Sequence, residues 1–203
     1  MTETLIVFTR YPEPGKTKTR MIPALGAEGA AILQRQLTEH TLKQVKKLQS
    51  KRSVSLELHF AGGNEQLMRE WLGENLTYYP QQRGDLGQRM YAAFAQAFAA
   101  GSRRVVTIGI DCPDLDELLL DRAFELLKQK DLVLGPAEDG GYYLIGLSCL
   151  FVQLFKDISW GSDRVLEQTT NIANKLSLNF DYLTTLNDLD RPEDLYIWEK
   201  YQN

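Results

Sequence analysis

The chain has 203 residues, 43% of them hydrophobic and 25% charged, with a net charge of −4. That length supports one sizeable α/β domain over residues 1–203 rather than two, and the acidic balance argues against a nucleic-acid partner. No apolar run approaches the roughly 20 residues of a membrane span, and Leu5–Phe8 is too short for a secretory signal, so no membrane partner and a cytoplasmic location are expected.

In chain order, short apolar runs predict strands at Leu5–Phe8, Val54–Phe60, Thr77–Tyr79, Val105–Ile110, Leu132–Leu134 and Tyr142–Leu147, with a weaker one at Leu178–Tyr182. Helical patterns fill Gly29–Leu48, Asn64–Leu72, Leu86–Ala99, Asp116–Lys128, Asp163–Lys175 and Pro192–Tyr201. Asp114, three residues before Glu117, has capping-box spacing, Ser162 can cap the helix behind it, and Pro192 suits a first helical turn. Strands alternating with helices imply a mostly parallel sheet covered on both faces, with ligands bound beyond the strands' carboxyl ends. Only seven residues separate Leu134 from Tyr142, too few for a crossover helix, so at least one strand runs antiparallel.

Four sites at strand ends carry chemistry. The first strand empties into Arg10-Tyr11-Pro12-Glu13-Pro14-Gly15-Lys16-Thr17-Lys18-Thr19-Arg20, with four cations in eleven residues. Cations so dense repel one another unless an anion lies among them, and a loop running into a helix start binds phosphate. Arg10, Lys18 and Arg20 are therefore candidate phosphate ligands, with Gly15 giving close backbone approach. A P-loop is excluded, because position 10 is arginine where that pattern needs glycine. Asp111 ends a wholly apolar strand, where a carboxylate holds Mg²⁺ or Mn²⁺ against phosphate oxygens. Glu138 and Asp139, before Gly140-Gly141, read either as carboxylates that contact a substrate hydroxyl, assist a metal or act as a base, or as a tight turn. Asp188 and Asp190 share one face of an extended stretch and either complete a metal site with Asp111 or, in the case of Asp190, cap the helix near Pro192. Weaker candidates are Arg89, opening a helix towards a nucleotide, and Trp160, able to stack on a sugar or base.

Charge is unevenly spread. Residues 1–100 balance to +4 and residues 101–203 to −8, which places phosphate-binding cations early and metal-binding carboxylates late. The two cysteines and two histidines offer no zinc spacing, so any metal is a hard cation held by oxygen.

Together, Arg10-x-Pro-x-Pro-Gly-x-x-Lys18-Thr-Arg20, Gly109-x-Asp111-x-Pro113, Asp139-Gly-Gly-Tyr142-Tyr and Ser159-Trp160-Gly161 resemble the motifs of bacterial GT-A-type transferases described as radical-SAM/selenodomain-associated, or as glycosyltransferases of uncertain function. The resemblance runs from Leu5 to about Leu195. More distantly, the lysine–threonine–arginine loop and Asp188-x-Asp190-x-Pro192-Glu193-Asp194 are similar to phospholactate guanylyltransferase and to sugar-acid cytidylyltransferases, whose late aspartate binds Mg²⁺. The resemblance implies a GT-A-like three-layer α/β sandwich with a mostly parallel mixed sheet. It implies a transferase that uses a nucleotide or nucleotide sugar and a small-molecule acceptor. Tyr142 and Trp160, which follow Asp111 in the acidic half of the chain, are expected on the acceptor side. Glycosyl transfer leads. Nucleotidyl transfer to a phosphorylated molecule is the alternative, and a nucleotide-binding protein without turnover is a third reading.

Overall fold

A computed structural model describes residues 2–201. Seven strands form one sheet: β1 (Glu3–Arg10), β2 (Ser55–Ala61), β3 (Thr77–Pro80), β4 (Arg104–Ile108), β5 (Leu132–Pro136), β6 (Tyr142–Leu147) and β7 (Phe180–Tyr182). Their order is β3-β2-β1-β4-β6-β5-β7. All pairings are parallel except those of β6, which runs against β4 and β5. The short β5–β6 connection forces that reversal, as the seven-residue gap required.

Six helices cover the sheet: α1 (Ile22–Lys51), α2 (Glu65–Leu72), α3 (Leu86–Ala99), α4 (Glu117–Leu126), α5 (Val165–Lys175) and α6 (Leu195–Glu199). Successive strand residues face opposite layers. Leu5 and Val7 of β1 pack with α1, α2 and α4, whereas Ile6 packs with α3 and α5. All three are fully buried, so β1 is the central plank between two cores and the architecture is the expected three-layer sandwich.

Several helix ends differ from the sequence expectation. α1 begins at Ile22, seven residues before Gly29, because Pro23 starts a first turn and Gly26 (φ 70°) then kinks the chain into the helix proper. The N-cap of α4 is Asp116, whose carboxylate accepts from the Leu118 and Leu119 N–H groups; Asp114 is not the cap. Asp114 instead meets Lys200 Nζ and the Tyr201 hydroxyl, each at 2.5 Å, and so ties the end of the chain to the loop after β4. Ser162 gives α5 no true cap: its hydroxyl donates to the Ser159 carbonyl and accepts from Arg164 N–H just before the helix. The last helical pattern divides into a 3₁₀ turn, Pro192–Asp194, and α6.

One ion cluster supports β1. Glu3, 6% exposed, accepts from Arg52 Nε (2.5 Å) and Nη2 (2.9 Å) and pairs with Arg104 Nη1 at 3.1 Å. Burial pushes the Glu3 carboxyl up, but the two guanidinium groups outweigh it and hold the group below its ordinary 4.5. A depressed folded-state value contributes stability above pH 4.5 that is lost as pH falls through it. Glu3→Gln is expected to cost about 3 kcal/mol in urea unfolding near neutral pH, the low end for a broken buried pair because Asp121 and Glu125 stay with Arg52. The same variant should lose less stability than the parent on acidification below 4.5, and an unchanged acid limb would show that Glu3 does not set it.

Candidate active site

The carboxyl ends of β1 and β4, the start of β6 and the segment after β7 surround a cleft of about 780 Å³. Its lining includes Arg10, Lys18, Arg20, Arg89, Asp111, Asp139, Tyr142, Trp160, Asp188 and Asp190. The structure thus gathers ten of the twelve candidate residues into one cleft. Gly15 and Glu138 are not among its lining residues. Gly15 makes an exposed turn (φ 79°), and Glu138 is exposed, its backbone N–H bonded to the Leu186 carbonyl at 3.1 Å.

The cationic loop is pinned to the sheet before it reaches the cleft. Tyr11 N–H donates to the Ala61 carbonyl at the end of β2, and Glu13 pairs with Lys16 at 2.7 Å. Lys18 adopts a left-handed backbone (φ 45°) at the entry to the Thr19–Met21 turn. Its side chain, 4% exposed, reaches Asp111 Oδ1 at 2.9 Å and Asp190 Oδ1 at 3.6 Å, and donates to the Leu189 carbonyl. Arg20 bonds the other oxygen of Asp190. Asp190 therefore does not cap the following turn. Asp194 instead accepts from the N–H groups of Asp190 (3.1 Å) and Arg191 (2.8 Å), which aims the Asp190 carboxylate at the two cations. Leu189 N–H donates to the Asp111 carbonyl at 2.7 Å, stitching the late acidic segment to the loop after β4, which ends at Ile108 rather than at the expected Ile110 and leaves Asp111 three residues beyond the strand.

Across the cleft the chemistry changes. Asp139 accepts from Gly141 N–H at 2.8 Å, and Gly140 (φ 86°) takes a conformation that other residues resist. The tight turn is therefore real, and it carries Asp139 to the cleft. Asp188 is half-buried, and its pKa is raised by burial first and then by the charge of Asp139. The Cys112 thiol is pushed far up by burial and then by the charges of Asp111, Asp188 and Asp139, so it remains a thiol at neutral pH. Trp160 and Tyr142 meet edge to face at 6.4 Å and form an aromatic wall.

Sequence reasoning passed over three supporting residues. Gln81, immediately after β3, donates to the Thr9 and His59 carbonyls while its oxygen accepts from Arg89 Nη1 at 2.8 Å, so it fixes Arg89 in the cleft. Its position at a strand end was the available signal. Gln34, 5% exposed, donates to Thr9 Oγ1 and the Arg10 carbonyl and holds the start of the loop. Thr107 Oγ1, buried at the cleft floor, has no hydrogen-bond partner among the described residues.

Among the described residues no three acidic, histidine or cysteine side chains converge on a metal position. Of the three expected ligands, Asp111 and Asp190 meet at the Lys18 ammonium, and Asp188 lines the same cleft two residues before Asp190. Such a pair fits a hard cation of the Mg²⁺ type, which takes one or two carboxylates and completes its shell with substrate phosphates and water.

The aromatic wall depends on Gly87 at the start of α3. A Cβ there would stand 2.5 Å from Trp160 Nε1 and 2.6 Å from the Phe155 carbonyl. Gly87→Ala is expected to destabilise the fold by about 1–3 kcal/mol through overpacking and to shift the tryptophan emission. An unchanged melting temperature and spectrum would show that the wall has room.

Comparison with known proteins follows the same lines. A family model described as "Uncharacterized protein conserved in bacteria (DUF2064)" matches residues 42–162. No curated protein matches the sequence. A solved protein of Desulfovibrio desulfuricans G20, provisionally designated a nucleotide-diphospho-sugar transferase, is 32% identical over 100% of this chain and 89% of its own, with a TM-score of 0.92. Two others share the fold alone. The CMP:2-keto-3-deoxy-manno-octonic acid synthetase complexed with CTP is 6% identical over 100% and 98% of the two chains (TM-score 0.62). The 4-diphosphocytidyl-2C-methyl-D-erythritol synthase of Anaerococcus prevotii DSM 20548 is 12% identical over 100% and 96% (TM-score 0.66).

Proposed function

We propose, from the premise that the chain belongs to the DUF2064 family and has the GT-A-like fold of nucleotide-using transferases, that it moves a glycosyl group from a nucleoside diphosphate sugar to a neutral hydroxyl of a small acceptor. The observation that carries this reading is the division of charge within the cleft. Its lining cations, Arg10, Lys16, Lys18, Arg20 and Arg89, all come from the first half of the chain. The lining residues from the second half of the chain, Asp111, Asp139, Tyr142, Trp160, Asp188 and Asp190 among them, include no lysine or arginine. A phosphorylated acceptor needs positive partners. A hydroxyl needs a base and a surface to stack on, and Asp139 with the Trp160–Tyr142 wall offers both.

In this reading the diphosphate lies against the cationic loop, with Arg20 gripping it through its planar fork. Arg89, held by Gln81, offers its remaining N–H groups to the nucleotide. Mg²⁺ or Mn²⁺ held by Asp111 and Asp190 would neutralise charge on the leaving diphosphate. Asp139 receives the proton of the acceptor hydroxyl, and the neighbouring Asp188 keeps that wall negative. Trp160 and Tyr142 exclude water from the reacting centre and orient the sugar.

The second reading, nucleotidyl transfer, is favoured by the number of cations in the cleft, which suits a triphosphate. One experiment separates them. The protein is incubated with Mn²⁺ and each nucleotide sugar, and released nucleoside diphosphate is measured. Glycosyl transfer predicts diphosphate from one donor. If no sugar donor is consumed and a nucleoside triphosphate yields pyrophosphate with a phosphorylated acceptor, the second reading replaces the first. Binding of a nucleotide with neither reaction identifies a protein without turnover.

Two variants test the roles. Asp139→Asn is expected to lower kcat about 10²–10⁴-fold with donor affinity unchanged, as loss of a general base does; equal losses in binding and turnover would place Asp139 with the donor instead. Arg20→Ala should weaken nucleotide binding more than Lys16→Ala, because Lys16 is an exposed point charge paired to Glu13. Equal, negligible losses in a titration would show the loop to be merely solvated.

A further inference from the structure

Lys18 differs from the other cations of the cleft. Lys16 pairs at the surface with Glu13, the Arg20 side chain is 62% exposed, and the contacts of Arg89 are neutral oxygens. The Lys18 ammonium is sealed from water and has three donors. Those donors have three oxygens around them: the Leu189 carbonyl, Asp111 Oδ1 and Asp190 Oδ1. Asp111 and Asp190, by contrast, are 48% and 31% exposed. The two carboxylates that would hold a divalent cation are therefore already met by cations, Asp111 by Lys18 and Asp190 by Lys18 and Arg20, and of the two cations only Lys18 is buried.

We infer that Lys18 is a built-in counter-ion that keeps a divalent cation off Asp111 and Asp190 until phosphate arrives, and then passes its ammonium from the carboxylates to phosphate oxygens. The inference rests on the metal and phosphate assignments proposed above. Its logic is electrostatic. A divalent cation on these carboxylates would come close to the buried Lys18 ammonium, and the two positive charges repel. The ammonium cannot simply lose its partners, because an unpaired buried charge is costly. Phosphate resolves the conflict by offering new acceptors. The lysine stem is flexible enough to reach them, while its backbone stays anchored through the Met21 N–H bond to the Lys18 carbonyl at 2.8 Å. Metal and phosphate then bind cooperatively, and linkage requires each to tighten the other by the same factor.

The test counts free Mn²⁺ by electron paramagnetic resonance, with Mn²⁺ alone and with inorganic phosphate, against protein-free controls at each phosphate concentration. The parent protein should bind Mn²⁺ weakly alone and more tightly with phosphate. Lys18→Met should bind Mn²⁺ alone about tenfold more tightly than the parent, the scale on which an adjacent cation alters a carboxylate's affinity for positive charge. Phosphate should then add little. In thermal melts, Mn²⁺ alone should stabilise Lys18→Met and leave the parent unmoved. If Lys18→Met does not fold by circular dichroism, Lys18→Gln, which keeps a donor without the charge, serves in its place. Mn²⁺ affinity in the variant equal to or below that of the parent overturns the inference while leaving the metal site intact. Tight Mn²⁺ binding by the parent without phosphate overturns it as well. A Lys18→Met protein whose Mn²⁺ binding survives Asp111→Asn, or Mn²⁺ binding to no variant under any condition, refutes the metal assignment itself and the inference with it.

Discussion

The ammonium of Lys18 holds the functional end of this molecule together. Its partners come from the loop after β4 and from the segment beyond β7, and its bond to the Leu189 carbonyl spans 171 residues of chain. A sheet edge brings these segments near one another but does not fix their side chains. The buried charge does, because each misplaced partner would leave an ion without compensation in a poorly hydrated place. The left-handed backbone at Lys18, the Leu189–Asp111 backbone bond and the Asp194 turn that aims Asp190 all serve that contact.

The cleft is consequently polarised. Its cations come from a loop whose prolines and backbone bonds limit its freedom and from Arg89 of α3. Its carboxylates and aromatics come from the loop after β4, the β5–β6 connection and the start of β6, the segment preceding α5 and the segment beyond β7. Preorganisation is the common theme: Gln81 holds Arg89, Gln34 holds the start of the loop, and Gly87 admits Trp160. Charge-stabilising groups act most strongly when they need not reorganise at the moment of reaction.

Much of this was legible beforehand. Strand and helix identities followed from periodicity, and the antiparallel β6 followed from a gap too short for a crossover. The candidate residues at strand ends converged because parallel sheets place those ends together. Cap assignments were less legible. Asp114 and Asp116 both precede Glu117 at plausible spacings, and only the contacts of Asp114 with Lys200 and Tyr201 show which one is free to cap. Asp190 was ambiguous for a similar reason, since a carboxylate before Pro192 looks like a cap until Lys18 and Arg20 come in from the other end of the chain. Gln34 left no mark in the sequence and Gln81 only its place at a strand end, because an amide acquires its role from the carbonyls placed around it.

The two outermost strands bear on how the molecule behaves beside others of its kind. A sheet margin with free N–H and C=O groups is a template for further strands, and long flat margins invite aggregation. Here one margin is β3, four residues long and closed by Pro80, which has no N–H to offer. The other is β7, three residues long, with Lys130 within 3.8 Å of Asp181. Both margins are short, and Pro80 on one and the charged Lys130–Asp181 pair on the other work against a further strand.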